Sequence, residues 1–369
     1  MDKLKVGLIG LGAVADIHLE AYKNIRNIDI VSGSDHKREK AVLKGKKWSF
    51  NAYVDTEEML DKEKLDIVVN LTPAREHRKT TELAASYGVH VLCEKPLAVT
   101  IEDALAMIQK CKQGQVHLCY GASYRYLPVC QKAKELIERG SLGELSLLFE
   151  MVLGGQGLEN FKELGNHHYP KGGPGGGGAG LIDHGIHLVD LFSWLTDGDV
   201  QFVAGKGNYS GKSPGTECLM MFFKNGAIGQ LVYNELSYPT KLPSEGVFSW
   251  GLDWDDKDNL VSKGCWNPSP GNICIHGSSG SLRLFHYANK LFLSDREGQS
   301  QIGVEGMAMP GNFTRQMESF VSCILKDNEP ETTGYDGLRA LQIVLAAYES
   351  FKTKRFVEIE PMTSSDPSQ

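Results

Sequence analysis

The beginning of the chain constrains its fold more than any other stretch. Leu4–Ile9 is apolar enough for a buried strand, and it leads into Gly10–Ala15, which reads G-x-G-x-x-A and opens a helical pattern. In a strand–turn–helix unit, the first glycine allows the tight turn, the second lets a pyrophosphate approach the backbone, and the last small residue lets the helix pack closely. The motif therefore predicts a dinucleotide site. The residues predicted to contact the ligand are Gly10, Gly12, Ala13, Val14 and Ala15.

Asp35 supplies the second half of this fingerprint. It follows the next predicted strand, Ile28–Ser32, about 20 residues beyond the glycine turn, where a carboxylate can accept both hydrogen bonds from a ribose diol. Such a carboxylate also repels a 2′-phosphate, so Asp35 favours NAD over NADP. Lys37 and Arg38 leave NADP possible, because their charges can offset a phosphate. The alternative is that Asp35 only forms a turn.

Strand and helix patterns alternate through residue 122. The apolar runs Leu65–Leu71, Val89–Cys93 and Val116–Gly121 are separated by helical patterns, which predicts a parallel sheet with helices on both faces. Ligands of such sheets bind beyond the carboxyl ends of the strands. The residues at these ends that we predict to contact the cofactor are Thr72, Pro73, Glu94 and Lys95. Pro96 presents Lys95 at this edge; the alternative is an ordinary surface lysine.

The pattern changes after residue 122. Strand-like segments then follow one another through short connections, and Lys224–Gly226 is a hairpin signal, so we predict an antiparallel sheet. A chain of 369 residues is also too long for one ordinary core. We therefore predict two domains, an α/β nucleotide-binding domain over residues 1–122 and an α+β domain over residues 123–369.

Leu181–Trp194 is a helical segment that is apolar on nearly all sides, which is typical of a buried helix. Asp183, His187 and Asp190 nevertheless share one stripe of it, at positions i, i+4 and i+7. Burying two carboxylates and an imidazole is costly unless they are paired or face a wet cleft. The stripe is therefore either a satisfied polar network in the core or an acid/base pair that lines an active site.

Two irregular regions interrupt the second domain. The loop from Gly154 to Gly180 is rich in glycine and too long for an idle connection. Its His167 and His168 are candidate substrate contacts, and we predict no metal site because no cysteine or carboxylate cluster of zinc spacing accompanies them. The tryptophans of Phe248–Trp266 either stack on sugar rings or mark a subunit interface.

Charge and composition argue against several classes of protein. The net charge is −7 and no face dense in lysine and arginine stands out, so we expect no nucleic-acid partner. No apolar run is long enough to span a membrane, and the early strand leaves no room for a signal peptide. The 8 cysteines form no C-x-x-C pair, and we expect free thiols, mostly in the core. These features predict a cytoplasmic protein without a membrane partner.

Three motifs together resemble the Gfo/Idh/MocA family of glucose–fructose oxidoreductase, inositol dehydrogenase and related sugar dehydrogenases. They are Gly10–Ala15, Glu94-Lys95-Pro96 and the spaced set Gly180, Asp183, His187 and Asp190. Further matches are Thr72-Pro73 with His77, Gly88–Val91, Tyr124–Pro128, Lys224–Ala227 and Thr333–Gly337. The resemblance extends from Lys5 to about Glu358. Its main departures lie in the 154–180 loop and the 240–270 region, which leaves the substrate open.

The resemblance implies an N-terminal Rossmann domain and a C-terminal domain whose large open sheet commonly forms a homodimer or homotetramer interface. It implies an NAD(P)-dependent dehydrogenase that oxidises a secondary hydroxyl of a sugar, an inositol or a related polyol. Lys95, Asp183 and His187 would then surround the reacting substrate carbon. By the same resemblance, His77 belongs to the cofactor site, and Tyr124 and Arg125 belong to the substrate site.

We assign His187 as the base for the hydroxyl proton, because the pKa of an imidazole lies near working pH. Lys95 would stabilise the developing alkoxide, and Asp183 would orient the hydroxyl or bias the imidazole. Asp190 is expected to be structural. Two alternatives are a glycoside hydrolase of the same family type, which retains its NAD, and a non-catalytic sugar or nucleotide sensor. The presence of Lys95 and His187 argues against a sensor.

Overall fold

The structure is a computed structural model that describes residues 3–154, 180–210, 213–234, 247–248 and 272–360. Most of the glycine-rich loop with His167 and His168, the three tryptophans of Phe248–Trp266 and the tail after Glu360 lie outside these residues. The described residues form two compact units. The first contains residues 3–131 and 305–341, and the second contains the described parts of 132–304 together with 342–360.

The first unit contains a sheet of six parallel strands. These are β1 (Leu4–Ile9), β2 (Ile28–Ser34), β3 (Asn51–Tyr53), β4 (Ile67–Asn70), β5 (His90–Cys93) and β6 (Leu118–Tyr120). Their spatial order is β3–β2–β1–β4–β5–β6, so the order reverses between β1 and β4. Ligands of open α/β sheets bind at such a reversal, beyond the carboxyl ends of the strands. The predicted parallel sheet is confirmed, with the short β3 as an addition.

Helices connect these strands and complete the first unit. They are α1 (Ala13–Tyr22), α2 (Arg38–Trp48), α3 (Thr56–Glu63), α4 (His77–Ser86) and α5 (Ile101–Gln113). A sixth helix, α6 (Pro128–Glu138), follows the last strand. The sequence did not predict α2 and α3, because the apolar face of each helix is narrow. In α2, Ala41 and Gly45 are the residues that become buried.

The core of the first unit includes a helix from late in the chain. Helix α8 (Gly311–Lys326) contributes Phe313, Met317 and Phe320 to the cluster that contains Leu19 and Tyr22 of α1. The first compact unit therefore contains two separate parts of the chain, because apolar side chains of α8 pack against residues of α1. The division of the sequence at residue 122 remains a prediction about domains.

The second unit contains a large mixed sheet in the order β15–β14–β13–β12–β7–β10–β9–β8–β16, with β11 beside β7. Its strands are β7 (Leu145–Gly154), β8 (Val200–Ser210), β9 (Ser213–Phe223), β10 (Ile228–Asn234), β11 (Val247–Phe248), β12 (Asn272–Gly277), β13 (Gly280–Phe285), β14 (Lys290–Asp295), β15 (Gly298–Ile302) and β16 (Val357–Glu358). β10 and β11 run parallel to β7, and the other pairs are antiparallel. The predicted α+β class and mostly antiparallel sheet are confirmed.

Two further helices are α7 (Ile186–Thr196), in the second unit, and α9 (Gly334–Thr353). The hairpin predicted at Lys224–Gly226 joins β9 to β10, and Gly226 there has a φ of +89°, which glycine adopts readily. Among the helices of the described ranges, none combines the length and apolar character that crossing a membrane requires.

Candidate active site

The glycine turn follows β1, and its two glycines, Gly10 and Gly12, have different surroundings. Gly10 has a φ of +89°, and a Cβ added to it would lie 2.8 Å from the carbonyl oxygen of Leu71. No atom lies within 4 Å of the position that a Cβ would take on Gly12. The turn is therefore packed against the chain at Gly10 and open at Gly12, at the N-terminus of α1. A pyrophosphate fits this arrangement, because backbone amides face an uncovered space.

Asp35 ties the end of β2 to the glycine turn. One carboxylate oxygen accepts a hydrogen bond from the backbone N–H of Leu11 at 3.0 Å, and the other accepts one from the N–H of Lys37 at 2.9 Å. The second bond makes Asp35 a turn-forming residue, as its alternative interpretation predicted. A carboxylate offers about four acceptor positions, so the two backbone bonds do not use all of them. The Nδ1 atom of His36 also lies 3.4 Å from Asp35 Oδ1. The ribose contact of Asp35 stays a prediction.

His77 holds two loops that follow neighbouring strands. Its Nε2 lies 2.8 Å from the carbonyl oxygen of Thr72, and its Nδ1 lies 3.0 Å from that of Pro96. Burial lowers the pKa of His77, and the backbone carbonyl groups around the ring oppose this shift. His77 is 1% exposed. Its two contacts therefore stabilise, from inside the protein, the loops that carry Thr72, Pro73 and Lys95. A direct contact of His77 with the cofactor stays a prediction.

A buried hydrogen-bonded chain below Glu94 is a feature that the sequence analysis missed. His18 Nε2 lies 3.0 Å from Glu94 Oε1, and His18 Nδ1 lies 2.7 Å from the hydroxyl oxygen of Tyr22. Glu94 Oε2 accepts the backbone N–H of Lys95 at 3.0 Å. Burial raises the pKa of Glu94, but the interactions of the carboxylate with His18 and with Lys95 together hold this pKa below its ordinary value.

The sequence did carry a signal for this chain. His18 and Tyr22 lie on the stripe of α1 that also carries the core residues Ala15 and Leu19. A histidine on the buried stripe of a helix needs a polar partner. The partner, Glu94, is 76 residues away in the chain, which is why spacing alone did not find it.

Tyr124 and Arg125 are both buried. An Arg125 Nη2 atom lies 2.9 Å from an oxygen of Asp336, and the other oxygen of Asp336 accepts the N–H and O–H of Thr333, each at 2.7 Å. Two segments that match the family pattern, 124–128 and 333–337, are thus joined by an ion pair within the first unit. The substrate contacts of Tyr124 and Arg125 stay predictions, and His168 lies outside the described residues.

In the second unit, the segment with the polar stripe begins with a π-helical turn over Gly180–Gly185, and α7 follows it. The prediction of one regular helix over 181–194 is therefore wrong for its first turn, which contains Asp183. A π-helical turn uses i→i+5 hydrogen bonds and is common at functional sites. Asp183 and His187 therefore do not keep the ideal i, i+4 geometry of an α-helix.

Close packing at Gly180 and a buried carboxylate explain the position of this turn. A Cβ on Gly180 would lie 2.4 Å from Glu217 Oε2 and 2.6 Å from a ring carbon of Tyr233. Glu217 Oε2 accepts the backbone N–H of Leu181 at 2.7 Å, and the Tyr348 hydroxyl oxygen lies 3.3 Å from the N–H of Ile182. Side chains from other elements thus satisfy the first N–H groups of the turn, which lack helical partners.

The three residues of the polar stripe differ in how far they are buried. Asp183 and His187 are half-buried, whereas Asp190 is 3% exposed. Asp190 therefore has the burial of a structural residue, as expected, and the two others retain access to solvent or to a ligand.

His184 is a second residue of this region that the sequence analysis missed. Its Nε2 lies 3.5 Å from Glu150 Oε2, and the Glu150 side chain is almost fully buried. The ring centroids of His184 and His187 are 6.4 Å apart. The buried imidazole of His286 has its Nδ1 3.8 Å from Glu150 Oε1. The buried carboxylate of Glu150 therefore lies near two imidazoles, those of His184 and His286.

The described residues contain no group of three or more histidine, cysteine, aspartate or glutamate side chains that could hold a metal ion. The 7 described cysteines are free thiols, and all but Cys218 are buried. The expectation of free thiols that lie mostly in the core is thus confirmed for them.

Two family models match this chain. The model of the oxidoreductase family with an NAD-binding Rossmann fold matches residues 4–122, and the model of its C-terminal alpha/beta domain matches residues 134–359. The chain is similar to a D-apiose dehydrogenase of Paraburkholderia graminis, with 25% identity over 100% of this chain and 93% of that protein. It is also similar to a myo-inositol 2-dehydrogenase of Thermotoga maritima, with 23% identity over 97% of this chain and 99% of that protein.

A solved structure has the same fold. It is an oxidoreductase from Agrobacterium radiobacter in complex with NAD+, L-tartaric acid and magnesium, with a TM-score of 0.79 and 22% identity over 97% of this chain and 98% of that chain. The glycine turn, the strand order and the segment with Asp183 and His187 thus occur in a chain that both family models match. This protein therefore belongs to the Gfo/Idh/MocA oxidoreductase family, whose N-terminal domain is an NAD-binding Rossmann fold.

Proposed function

We propose that this protein transfers a hydride between a nicotinamide cofactor and a secondary hydroxyl of a sugar, an inositol or a related polyol. One observation carries the proposal: Asp183 and His187 stay half-buried in a segment whose other stripe residue, Asp190, is buried. Polar residues that serve only a core network would be covered like Asp190. The apiose and inositol dehydrogenases among the relatives support a polyol substrate.

The cofactor is held by the first unit in this proposal. Gly12, Ala13 and Val14 would bind the pyrophosphate, with Gly10 and Ala15 shaping the turn, and Asp35 would accept the adenosine ribose diol. The bound nicotinamide supplies the hydride acceptor. Asp35 favours NAD, because its two backbone hydrogen bonds fix a negative charge where a 2′-phosphate would lie.

Three residues carry the chemistry. His187 takes the proton of the substrate hydroxyl, since an imidazole can be neutral at working pH and accept it. The ammonium of Lys95 stabilises the negative charge that develops on the substrate oxygen. Asp183 orients the hydroxyl or the imidazole. Tyr124, Arg125 and His168 would contact the rest of the polyol, with Arg125 fixed by Asp336.

The large mixed sheet of the second unit supports the proposal of a homo-oligomer, either a homodimer or a homotetramer. One of its faces carries half-buried or exposed apolar side chains that adjoin across the paired strands β7, β10 and β9. They are Leu147, Phe149, Met151, Ile228, Val232, Met220 and Phe222. An apolar face of this kind favours association. The buried free thiols support a cytoplasmic location, where thiols stay reduced.

The experiment that tests the function is a panel of inositols, free aldoses, glycosides and nucleotide sugars, assayed with NAD and with NADP. Reduced-cofactor absorbance with at least one polyol, preferentially with NAD, supports the proposal. Cleavage of an aryl glycoside without net reduced cofactor would instead indicate the hydrolase alternative. Binding of a sugar without any turnover would indicate a sensor.

A further inference from the structure

Three residues below the cofactor edge of the first sheet form a continuous hydrogen-bonded chain. Tyr22, His18 and Glu94 are joined by contacts of 2.7 Å and 3.0 Å, and Glu94 continues to the backbone N–H of Lys95 at 3.0 Å. His18 has no exposed surface, and Tyr22 is 1% exposed. The proposed function uses Lys95 but assigns nothing to Glu94, His18 or Tyr22.

The protons in this chain have a defined arrangement. Burial raises the pKa of Tyr22 well above its ordinary value, with the charge of Glu94 as the next contribution, so Tyr22 keeps its hydroxyl proton. Tyr22 can therefore donate to His18 Nδ1, and the Nε2–H of His18 can then donate to Glu94 Oε1. This arrangement leaves every member of the chain with a partner, as a buried polar network requires.

The other groups around Glu94 do not replace this donor. Cys93 lies within electrostatic reach, but burial raises its pKa well above the ordinary value, so its thiol stays neutral. His77 is also within reach, and burial disfavours its charged form. His18 and Lys95 are the neighbours whose hydrogen bonds and charges favour the Glu94 carboxylate.

We infer that His18 is a positioning residue that acts on Lys95 through Glu94. The catalytic consequence of this role rests on the proposed function. By donating to Glu94 Oε1, His18 keeps the buried group a carboxylate, and the second oxygen of that carboxylate holds the Lys95 backbone at the carboxyl end of β5. Tyr22 is the residue that fixes the tautomer of His18.

Two substitutions of His18 separate this role from general packing. His18→Gln places an amide nitrogen near the position of Nε2 and keeps a donor to Glu94. His18→Asn places its amide near Nδ1 and loses that donor. Tyr22→Phe removes the donor to Nδ1 alone. His117→Asn is the control, since His117 precedes β6 and lies at the amino end of the sheet, away from Glu94.

The primary readout is the titration of Glu94 in the cofactor-free full chain, followed by carbon NMR of labelled glutamate and assigned with Glu94→Gln. The dissociation constant of NAD and the pH profile of kcat/KM are measured on the same proteins. Removing the His18 donor leaves Lys95 alone to oppose the effect of burial on the carboxyl group. We therefore expect His18→Asn to raise the Glu94 midpoint by about one pH unit or more.

In His18→Asn, the acid limb of kcat/KM should move to higher pH with the Glu94 midpoint. His18→Gln should restore most of both shifts, Tyr22→Phe should shift them less in the same direction, and His117→Asn should leave them unchanged. If His18→Asn does not fold, the titration midpoint of Glu94 in Tyr22→Phe and His18→Gln provides the test.

An unchanged Glu94 midpoint in all folded variants would overturn the inference, and so would a His18→Gln protein that titrates like His18→Asn. Because the NMR titration needs no substrate, the result stands apart from the proposed function. That function fails separately if no member of the polyol panel is oxidised.

Discussion

We assign functional roles to residues in both units, called here the first half and the second half. The two halves are held in place by different means. In the first unit, a glycine turn, one imidazole and a buried carboxylate fix backbone atoms at the ends of parallel strands, as with His77 between Thr72 and Pro96. In the second unit, a π-helical turn carries half-buried side chains, and Glu217 holds its first N–H groups. The first half mainly presents backbone to a ligand, with Lys95 as the side chain assigned to the chemistry, and the second half presents side chains.

This difference also decides which parts of each half can vary. A site made of backbone amides tolerates any residue that permits the turn, so its signature is glycine and small residues at fixed spacing. A site made of side chains depends on the identity of Asp183 and His187. Substitutions in the glycine turn should therefore affect binding and stability, and substitutions of Asp183 and His187 should affect turnover.

The largest expected effect belongs to His187→Ala in the second half. Loss of a general base lowers turnover by about 10²–10⁴-fold. Binding of NAD, measured by calorimetry, should remain within twofold of the parent, about 0.4 kcal/mol. Ser193→Ala, a substitution on the same helix whose hydroxyl donates to the Val189 carbonyl oxygen, is the control and should keep near-full turnover. Equal turnover for the two variants would remove His187 from the chemistry.

Gly10→Ala and Gly12→Ala test whether the two glycines of the first half have different roles, one in stability and one in cofactor binding. Gly10→Ala should lower the free energy of unfolding by about 1–3 kcal/mol, because its φ is +89° and the new Cβ would meet the Leu71 carbonyl oxygen. Gly12→Ala should leave the free energy of unfolding unchanged, since its Cβ meets nothing within 4 Å. It should instead weaken NAD binding about tenfold or more, because the methyl group occupies the approach of the pyrophosphate.

Chemical denaturation and NAD titration of both glycine variants check this pair of predictions. A Gly12→Ala protein that is as unstable as Gly10→Ala, yet binds NAD normally, would contradict the assigned roles of the two glycines.

Much of the first half was predictable from the sequence, and less of the second. Gly10–Ala15 and Asp35 lie within one βαβ unit, where spacing along the chain fixes proximity. The contacts of His18 with Glu94 and of Glu217 with Leu181 join residues far apart in sequence, 76 and 36 positions respectively. Spacing carries no information about such contacts, and the π-helical turn depends on one of them.

Glu217 gives the next expected effect, on the second half. Glu217→Ala removes the acceptor of the Leu181 N–H, and an unsatisfied buried donor costs about 1–3 kcal/mol. The matched variant Glu217→Gln keeps an oxygen that can accept the same bond and should lose less. Thermal unfolding without ligand measures both proteins. If the alanine variant is as stable as the glutamine variant, Glu217 does not hold the turn.

The smallest expected effect concerns pH and His77. Because burial lowers the pKa of His77 in the folded chain, the neutral ring contributes stability above the unfolded pKa of about 6.5, and this contribution is lost as pH falls through the folded value. His77→Gln should therefore show a shallower loss of unfolding free energy between about pH 7 and pH 5, by about 1 kcal/mol or less. Parallel denaturation curves across this range would show that burial does not shift His77.

The central claim is that both halves serve one hydride transfer from a polyol carbon. The most direct measurement uses a polyol that the panel finds to be oxidised, deuterated at the reacting carbon, with mass analysis of the free reduced cofactor. The account predicts one deuterium on the nicotinamide ring of released NADH, and loss of this transfer in His187→Ala. Reduced cofactor without deuterium, or deuterium returned to a cleaved glycoside while the cofactor stays bound, would contradict it.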